Sequence, residues 1–482
     1  MSLLKQGALV SGARLADRMM SLVTVLVLSR HFGEEGLGEF NYFFSLVCLF
    51  APITDFGAGM TLLQRWHERD VLGRRLVFTQ LIVLKCVLTN VALALAIGGD
   101  ALNHPGSARP LAVCAAMLAY FLDDFSDLLR RPAHAQGQVW LEAVLPLLSR
   151  MLQLAGVLLY LNRMTNGFQA LYIYAVANAV KAFVSIAGAR GYPPTLAGAR
   201  KSDWWDIIHN GMPFALSSFF VMATLHFDAV VLGHYSYEQV GAYTAATRII
   251  IVLNVLNSGI CHALFPRLIQ AKADKSPGHA GWLINGTLRG FTILFGAISI
   301  GGMIVGNRLM LALYGDKFIA TGPIFRVLSP LILLSSFYSL LGQCLEIVGE
   351  QRKVMRIYAV TALLNIGGNL ALIPFYGMYG SAAATLLSSL YTVLMVFFMI
   401  FKNEHIKMYM DGMGRAVFFL VLLAGLYVPL YFMNVWIAVP LGGVLFAALL
   451  LPFRGYWLEG MGRAAGPLRE IFSRAKDEAA KK

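Results

Sequence analysis

Long apolar segments recur from one end of the chain to the other, and they constrain the fold more than any other feature. Segments of about 20 apolar residues alternate with short polar connections, and about 20 residues of α-helix cross a hydrocarbon core of about 30 Å. Strands of a membrane barrel would instead read as alternating segments of about 10 residues. Of the 482 residues, 58% are hydrophobic and 13% are charged. The sequence therefore predicts an all-α integral membrane protein.

We predict about fourteen membrane-spanning helices, each of about 20 residues. Their predicted starts lie near residues 9, 38, 77, 110, 140, 169, 207, 242, 281, 321, 355, 379, 413 and 436. Alternate connections are basic, so that one side of the membrane collects about 25 Lys and Arg against about four on the other. The positive-inside rule places this side, and with an even span number both termini, in the cytoplasm. The net charge of +13 is then a topology signal, and nucleic acid is not needed as a partner.

A weak internal repeat relates two connections that the same rule places outside. "HFGEEGLGEF", His31 to Phe40, resembles "HYSYEQVGAY", His234 to Tyr243. Each copy joins the first two helices of a six-helix block, and blocks with an even number of crossings form parallel repeats around a central cavity. The predicted organisation is an N-lobe at 1–205 (spans 1–6), a C-lobe at 206–404 (spans 7–12), spans 13 and 14 at 405–453, and a basic cytoplasmic tail at 454–482.

Charged residues inside the predicted spans need a reason, because a cation at the centre of the bilayer costs about 2.5–3.5 kcal/mol on insertion scales. We expect such cations to face a water-filled cavity that binds an anionic ligand, and the candidates are Arg14, Arg18, Lys85, Arg150, Lys181, Arg248 and Arg289. The alternative is that each cation reaches the membrane surface or pairs with one carboxylate. We favour the cavity because the acids expected within the spans, Asp17, Asp55 and Asp228, are too few to pair all of them.

Asp123, Asp124 and Asp127 form a D-D-x-x-D motif near the predicted cytoplasmic end of the fourth span. Such carboxylates could hold Mg²⁺ on a diphosphate, as in a membrane prenyltransferase. That enzyme needs a second acidic cluster, for which "SDWWD" is a weak candidate, so we favour a cluster that balances Arg130 and Arg131 at the membrane surface. The five cysteines have no metal-ligand spacing, and no nucleotide-binding motif occurs, so no metal and no cofactor are expected.

Five stretches of the chain, in this order, resemble the polysaccharide transporter family, the O-antigen flippases commonly called Wzx, of the MOP superfamily. They are "SRHFGEEGLGEFNYFFSLVCLFAPITDFGAG", "IIHNGMPFALSSFF", "HFDAVVLGHYSYEQVGAYTAATRII" with the following "ALFPRL", "LYGDKFIATGPIFRVLSP" and "LNIGGNLALIPFYGMYGSAAATLL". The resemblance implies a secondary transporter and not an enzyme. It implies two six-helix lobes that move undecaprenyl-diphosphate-linked oligosaccharide from the cytoplasmic to the periplasmic leaflet of the inner membrane by alternating access.

The resemblance also implies partners in cell-surface polysaccharide export, namely a polymerase and glycosyltransferases, besides membrane lipids. It fixes no site residue: the seven cations follow from their depth alone, and Asp228 in "FDAVVLG" matches the family pattern without a fixed role. Asp17, Asp55 and Asp228 are candidates for carrying a coupling H⁺ or Na⁺, because a neighbouring cation can tune a buried carboxylate. The alternatives are a MATE-like ion-coupled multidrug exporter, expected to have an anionic cavity, and the prenyltransferase.

Overall fold

The computed structural model describes residues 3–56, 71–106, 109–135, 140–189, 195, 201–273, 277–403 and 412–451. Within these ranges the chain is helical and contains no strand. The helices are α1 (Leu3–Asp55), α2 (Val71–Asn103), α3 (Pro110–Ala135), α4 (Trp140–Tyr160), α5 (Ala170–Ala189), α6 (Lys201–Tyr235), α7 (Tyr237–Ala273), α8 (Pro277–Tyr314), α9 (Thr321–Leu328), α10 (Pro330–Ile347), α11 (Gln351–Tyr376), α12 (Met378–Phe401), α13 (Met413–Tyr427) and α14 (Val435–Leu450). Short 3₁₀ turns occupy Leu161–Arg163, Gly167–Gln169 and Val428–Phe432.

Eleven helical segments of the described chain are long and apolar enough to cross a membrane. One of them, Ala16–Asp55, has 40 residues and is interrupted at Gly33, whose φ of 74° lies in the left-handed region that favours glycine. At 1.5 Å per residue it is about 60 Å long, enough for two crossings. The charged α3, with 26 residues, and the short apolar α14 complete the set. The all-α membrane fold is confirmed, and the helices are consistent with about fourteen crossings.

The helices form two compact units, Met1–Val252 with Leu313–Ile324 and Tyr358–Ser388, and Leu253–Ala312 with Phe325–Ile357 and Ser389–Lys482. In the first unit α3 packs along α5, while α1 packs against α2, α4 and α6. The buried apolar side chains of Phe78 and Leu81 on α2 contact those of Leu128 and Leu129 on α3. The lobe boundaries expected from the sequence stay a prediction.

The second unit has its own apolar core. Ile293 and Ala297 of α8 pack with Phe419 and Leu423 of α13, which are fully buried. The hydroxyl of Tyr427 donates a hydrogen bond to the carbonyl oxygen of Gly442 over 3.0 Å, which joins the end of α13 to α14. Helices α13 and α14 are therefore packed elements of this unit and not a detached extension.

The two copies of the repeat contact each other within the first unit, and each does so through a glycine. A Cβ atom on Gly38 would lie 1.7 Å from the carbonyl oxygen of Tyr237, and a Cβ atom on Gly241 would lie 1.8 Å from that of Glu34. Glu34 and Tyr237 occupy equivalent positions, each four residues before the glycine of its copy. The contact is therefore reciprocal, as between elements related by a two-fold axis. This geometry supports an internal repeat over a chance similarity of two connections.

Candidate functional site

The candidate cations belong mainly to the first unit. Arg18, Lys85, Arg150, Lys181 and Arg248 lie on α1, α2, α4, α5 and α7 of that unit. Arg14 is also on α1, but its side chain lies outside the part of the structure that is described. Arg289 lies on α8 in the second unit, where its Nε donates to the carbonyl oxygen of Asn285 over 3.4 Å.

Arg150 joins α4 to α1 through an ion pair. Its Nε lies 3.1 Å from Oδ1 of Asp17, and its Nη1 donates to Oε1 of Gln153 over 2.9 Å. The amide of Gln153 in turn donates over 3.1 Å to Oδ1 of Asn178 on α5, and Asn178 donates to the carbonyl oxygen of Ala119 on α3 over 2.9 Å. This chain of polar side chains satisfies groups that would otherwise be unpaired in an apolar interior. It also fixes the Arg150 guanidinium relative to four helices.

Lys181 of α5 is buried against two carboxylates of α3. Its Nζ lies 2.6 Å from Oδ1 of Asp123 and 2.9 Å from Oδ1 of Asp127. Asp127 also pairs with Arg130, one helical turn further along α3. Because residues four apart lie on the same face of a helix, the spacing of Asp123 and Asp127 presents both to α5.

Lys85 of α2 forms an ion pair with Asp124, the third carboxylate of the motif. Its Nζ lies 2.5 Å from Oδ2 of Asp124 and 3.4 Å from Oδ1 of Asp55, and its side chain is 1% exposed. Asp124 follows Asp123 by one residue, so it points about 100° around α3 from its neighbour and faces a different helix. We call Lys85, Lys181 and Arg130 with Asp55, Asp123, Asp124 and Asp127 the ion-pair layer. It holds three cations and four carboxylates.

These contacts correct two expectations from the sequence. The expectation that acids are too few to pair the cations is wrong for Lys85, Arg150 and Lys181, because α3 brings the D-D-x-x-D motif alongside two of them. The motif was also expected to balance Arg130 and Arg131 at the membrane surface. Instead, Lys85 and Lys181 pair with all three of its carboxylates, and Arg130 shares one of them, Asp127. Such engagement leaves these carboxylates poorly suited to hold Mg²⁺.

Arg248 and Arg18 differ from the lysines of the ion-pair layer. Nη2 of Arg248 donates over 3.2 Å to Oδ1 of Asn41, a neutral amide. Arg18 is exposed on α1. Among the side chains that the structure describes, no carboxylate lies within ion-pair distance of either arginine. Arg18 and Arg150 are close enough to Arg248 to repel it electrostatically.

We call Arg18, Arg150 and Arg248, together with Asp17, the cationic cluster. It contains three guanidinium groups and one carboxylate in the first unit. Like charges repel each other, so this excess of positive charge favours a bound anion. Guanidinium groups suit phosphates in particular, since their planar forks donate paired hydrogen bonds to two oxygens.

Asp228 on α6 lies in a different setting from Asp17 and Asp55. It is 7% exposed, its Oδ1 accepts a hydrogen bond from the N–H of Ala229 over 2.7 Å, and the Tyr243 hydroxyl lies close to its carboxylate. Among the described side chains no cation pairs with it. The Tyr243 hydroxyl lies 3.1 Å from Oγ1 of Thr385, which accepts from Nδ2 of Asn365 over 3.3 Å. A polar network therefore runs from Asp228 into α11 and α12.

That network contains oxygen atoms without partners. Asn369 donates over 3.1 Å to Oδ1 of Asn365, but its own Oδ1 is buried and accepts no hydrogen bond from the described residues. The same holds for Oγ of Ser381 on α12. Buried acceptors without partners are costly, and a cation would satisfy them. The sequence reasoning missed these residues because it ranked positions by charge, whereas asparagines in the middle of an apolar span were the available signal.

Comparisons with known proteins agree with this architecture. The family described as "Polysaccharide biosynthesis protein" matches residues 3–272. The "probable flippase AglR" of Haloferax volcanii is 24% identical over 405 residues, which cover 80% of this chain and 81% of that protein.

Two solved structures share the fold at low sequence identity. A lipid II flippase MurJ in an inward closed conformation has a TM-score of 0.77 at 13% identity and covers 93% of this chain and 99% of its own. An inward-facing multidrug resistance MATE transporter of the MOP superfamily has a TM-score of 0.63 at 15% identity and covers 80% and 94%. These likenesses establish the fold. The chain belongs to the polysaccharide biosynthesis protein family and shares the fold of the MurJ and MATE structures.

Proposed function

We propose that this protein is a lipid-linked glycan flippase that moves undecaprenyl-diphosphate-linked oligosaccharide across the membrane by alternating access. The observation that carries the proposal is the cationic cluster, in which Arg18 and Arg248 have no ion-pair partner among the described side chains and Arg150 pairs with Asp17. A diphosphate supplies the negative charge that the described side chains do not. The family match to polysaccharide biosynthesis and the flippase relative support a glycan-bearing substrate.

The two exposed or incompletely bonded arginines are the proposed contacts to the diphosphate. Arg248 has five N–H donors, and its hydrogen bond to Asn41 uses one of them. Arg18 is exposed, so its guanidinium is accessible to a ligand. Arg150 is held by Asp17 and Gln153 and contributes its charge from a fixed position. We therefore assign direct contact to Arg18 and Arg248 and electrostatic support to Arg150.

Lys85 and Lys181 receive a structural role in this proposal. Both are nearly fully buried and each contacts two carboxylates, so no charge is left for a substrate to balance. Their pairs join α1, α2, α3 and α5. Arg14 and Arg289 stay candidates from their predicted depth alone.

Energy for directed transport is proposed to come from an ion gradient or from consumption of the glycan after transfer, because the sequence has no nucleotide-binding motif. Of the three acids considered for coupling, Asp17 and Asp55 are engaged by Arg150 and Lys85. Asp228 adjoins a network with partnerless oxygens on Asn369 and Ser381. Carboxylate, hydroxyl and amide oxygens are ligands for hard cations. We propose Asp228 as the residue that binds H⁺ or Na⁺.

The orientation and the cellular setting complete the proposal. The distribution of Lys and Arg supports cytoplasmic termini. The proposed location is a bacterial inner membrane, where lipid-linked glycan would be transferred. Transfer then runs from the cytoplasmic leaflet, where the glycan is assembled by glycosyltransferases, to the outer leaflet, where a polymerase consumes it. The glycan is proposed to be a repeat unit of O-antigen, capsule or exopolysaccharide.

The two alternatives fit the site less well. A MATE-like exporter of cationic drugs needs a surplus of negative charge, whereas the cationic cluster has three positive groups to one carboxylate. A prenyltransferase would use Asp123, Asp124 and Asp127 to hold Mg²⁺, but lysines occupy these carboxylates. The second acidic segment that such an enzyme needs, at Asp203 and Asp206, has side chains outside the described part.

The test is leaflet transfer of labelled undecaprenyl-diphosphate oligosaccharide in proteoliposomes that contain equal amounts of folded protein. Arg248→Gln removes the charge and keeps a polar side chain, and we expect transfer to fall at least tenfold, because a hydrogen bond to a charged group contributes about 1.5–3 kcal/mol. Arg308→Gln is the matched control, since Arg308 lies over the Tyr431 ring in the second unit, away from the cluster in sequence and packing. Equal transfer by wild type and Arg248→Gln would contradict the proposal.

A further inference from the structure

A groove between α4 and α5 lies outside the charged regions described above. Its volume is about 530 Å³, and its walls are mostly apolar. Leu152, Gly156 and Tyr160 line it from α4, and Tyr172 and Val176 are among the residues that line it from α5. Val176 is 66% exposed and Tyr160 is 52% exposed, so the groove opens on the surface of the first unit. In a membrane protein such a surface faces acyl chains.

The two ends of the groove differ in polarity. At one end the 3₁₀ turns Leu161–Arg163 and Gly167–Gln169 connect α4 to α5 and place Arg163 and Gln169 at the rim. The Arg163 guanidinium lies 5.8 Å from the centre of the Tyr160 ring and is exposed. At the other end the lining consists of apolar side chains such as Leu152 and Val180. The groove is therefore cationic and aromatic at one end and apolar along its length.

The length of the groove matches one leaflet. From Leu152 to Arg163, and again from Gln169 to Val180, eleven residues of helix rise about 16 Å. Half of a hydrocarbon core of about 30 Å is about 15 Å. Tyrosines concentrate where hydrocarbon meets headgroups, as Tyr160 and Tyr172 do if Arg163 lies at the membrane surface. The polar end then lies at headgroup level, and the apolar end lies near the bilayer centre.

We propose that this groove is a binding site for an anionic phospholipid, with one acyl chain between α4 and α5 and the headgroup phosphate at Arg163. Charge complementarity selects the headgroup, since each Lys or Arg near the surface attracts anionic lipid by about 1 kcal/mol. The leaflet is the outer one in the topology that the positive-inside rule gives, because 161–169 belongs to a connection on the less basic side. An undecaprenyl chain, with eleven isoprene units, is too long for a groove that spans one leaflet.

Occupation of the groove has a consequence for the charged helices. The floor is tight at Gly156, where a Cβ atom would lie 2.5 Å from Cγ2 of Ile173. Other faces of the same two helices carry Arg150 and Lys181. A bound acyl chain fills the outer side of this helix pair and restrains both helices. The lipid is therefore expected to stabilise the first unit as well as to bind it.

The experiment is native mass spectrometry of the purified full-length protein in detergent, titrated with phosphatidylglycerol or with phosphatidylcholine of the same acyl chains. We expect tighter binding of phosphatidylglycerol. Arg163→Gln should weaken it about fivefold, since one cation near the surface contributes about 1 kcal/mol, and should weaken phosphatidylcholine less, because its choline group offsets the phosphate charge. Val176→Trp should fill the groove and weaken both lipids. Arg308→Gln and Leu118→Trp are the controls: an arginine over another tyrosine, and a 51% exposed leucine on α3.

Equal losses in Arg163→Gln and Arg308→Gln, or in Val176→Trp and Leu118→Trp, would overturn the proposal, because the binding would then be spread over the surface. Undecaprenyl phosphate that displaces phosphatidylglycerol from wild type, but has no effect on Val176→Trp, would reassign the groove to the prenyl chain and also overturn it. The measurement contains no glycan and no transport step. Its outcome is therefore independent of the flippase proposal.

Discussion

The cationic cluster and the ion-pair layer are both charged regions inside the first unit, and they solve the problem of buried charge in opposite ways. In the ion-pair layer, Lys85 and Lys181 are more deeply buried than any cation of the cluster, and each contacts two carboxylates. In the cluster, Arg248 has a neutral amide as its hydrogen-bond partner and Arg18 is exposed. Burial alone therefore does not mark a ligand site. The surplus of charge over the available countercharge marks it better.

The comparison predicts its largest effect at Lys181. Lys181→Ala leaves Asp123 without its buried partner and Asp127 with Arg130 alone, and breaking a buried pair costs about 3–5 kcal/mol. We place the loss at the lower end, about 3 kcal/mol, because Asp123 and Asp127 keep 40% and 48% of their side-chain exposure. The measurement is the thermal stability of purified protein in detergent together with the yield of folded protein from membranes.

Lys353→Ala is the control for this prediction, since Lys353 pairs with Glu350 over 2.9 Å but is 55% exposed. Exposed pairs contribute about 0–1 kcal/mol, so its stability should barely change. The double variant Lys181→Met, Asp123→Asn should recover part of the loss, because it removes the unpaired Asp123 charge while Asp127 keeps its pair with Arg130. A Lys181→Ala protein as stable as Lys353→Ala would show that the ion-pair layer is not structural, and the contrast with the cluster would disappear.

The sequence was sufficient for the architecture because the membrane imposes it. Spans of about 20 apolar residues and the basic connections are local features, and each can be found without knowing what it packs against. Most helices begin within several residues of a predicted start; α1 contains the first two predicted spans, with its interruption at Gly33, and α9 with α10 makes up the tenth. The repeat of Gly38 and Gly241 was also visible, although the reciprocal contact of the two glycines was not.

The ion pairs between side chains within the site could not be predicted from the sequence, because they depend on how the helices pack. Depth along a helix is local, but whether Lys181 meets Asp123 depends on how α5 packs along α3, which no spacing within either helix specifies. The acids of the D-D-x-x-D motif were assigned to the surface from their position near a span end, and this error made the cations look unpaired. Asn41 and Asn369 were overlooked because they carry no charge, although buried amides are also costly unless they are bonded.

Asp228 offers a third arrangement, a buried carboxylate next to neutral oxygens, and it sharpens the comparison. If it binds the coupling ion, Asp228→Asn should abolish the dependence of transfer on an imposed Na⁺ or H⁺ gradient. A coupling free energy of about 1–3 kcal/mol corresponds to a loss of about 5- to 150-fold in gradient-driven stimulation. The measurement is glycan transfer in proteoliposomes with and without each gradient.

Asp55→Asn is the matched control for this experiment. Asp55 is 42% exposed, and its 3.4 Å contact is the longer of the two that Lys85 makes with carboxylates. This variant should keep the response to the gradient. Gradient stimulation that persists in Asp228→Asn, or wild-type transfer that ignores both gradients, would remove Asp228 from the coupling role. The cationic cluster would remain untouched by either result, since it concerns the diphosphate and not the ion.

The smallest predicted effect concerns Asp17, the carboxylate of the cationic cluster. Asp17 is the one described carboxylate that pairs within it, 3.1 Å from the Nε of Arg150, and it opposes an incoming diphosphate. Asp17→Asn should therefore tighten binding of labelled undecaprenyl diphosphate to the purified protein, although most loss-of-charge variants at a binding site weaken it. We expect about fivefold, equivalent to about 1 kcal/mol, because attraction and repulsion at such separations are strongly screened near a protein surface. Asp55→Asn, in the ion-pair layer, should leave the affinity unchanged. Weaker binding in Asp17→Asn would mean that Asp17 orients Arg150 for the phosphate, and the cluster would then be a positioned site in which geometry outweighs net charge.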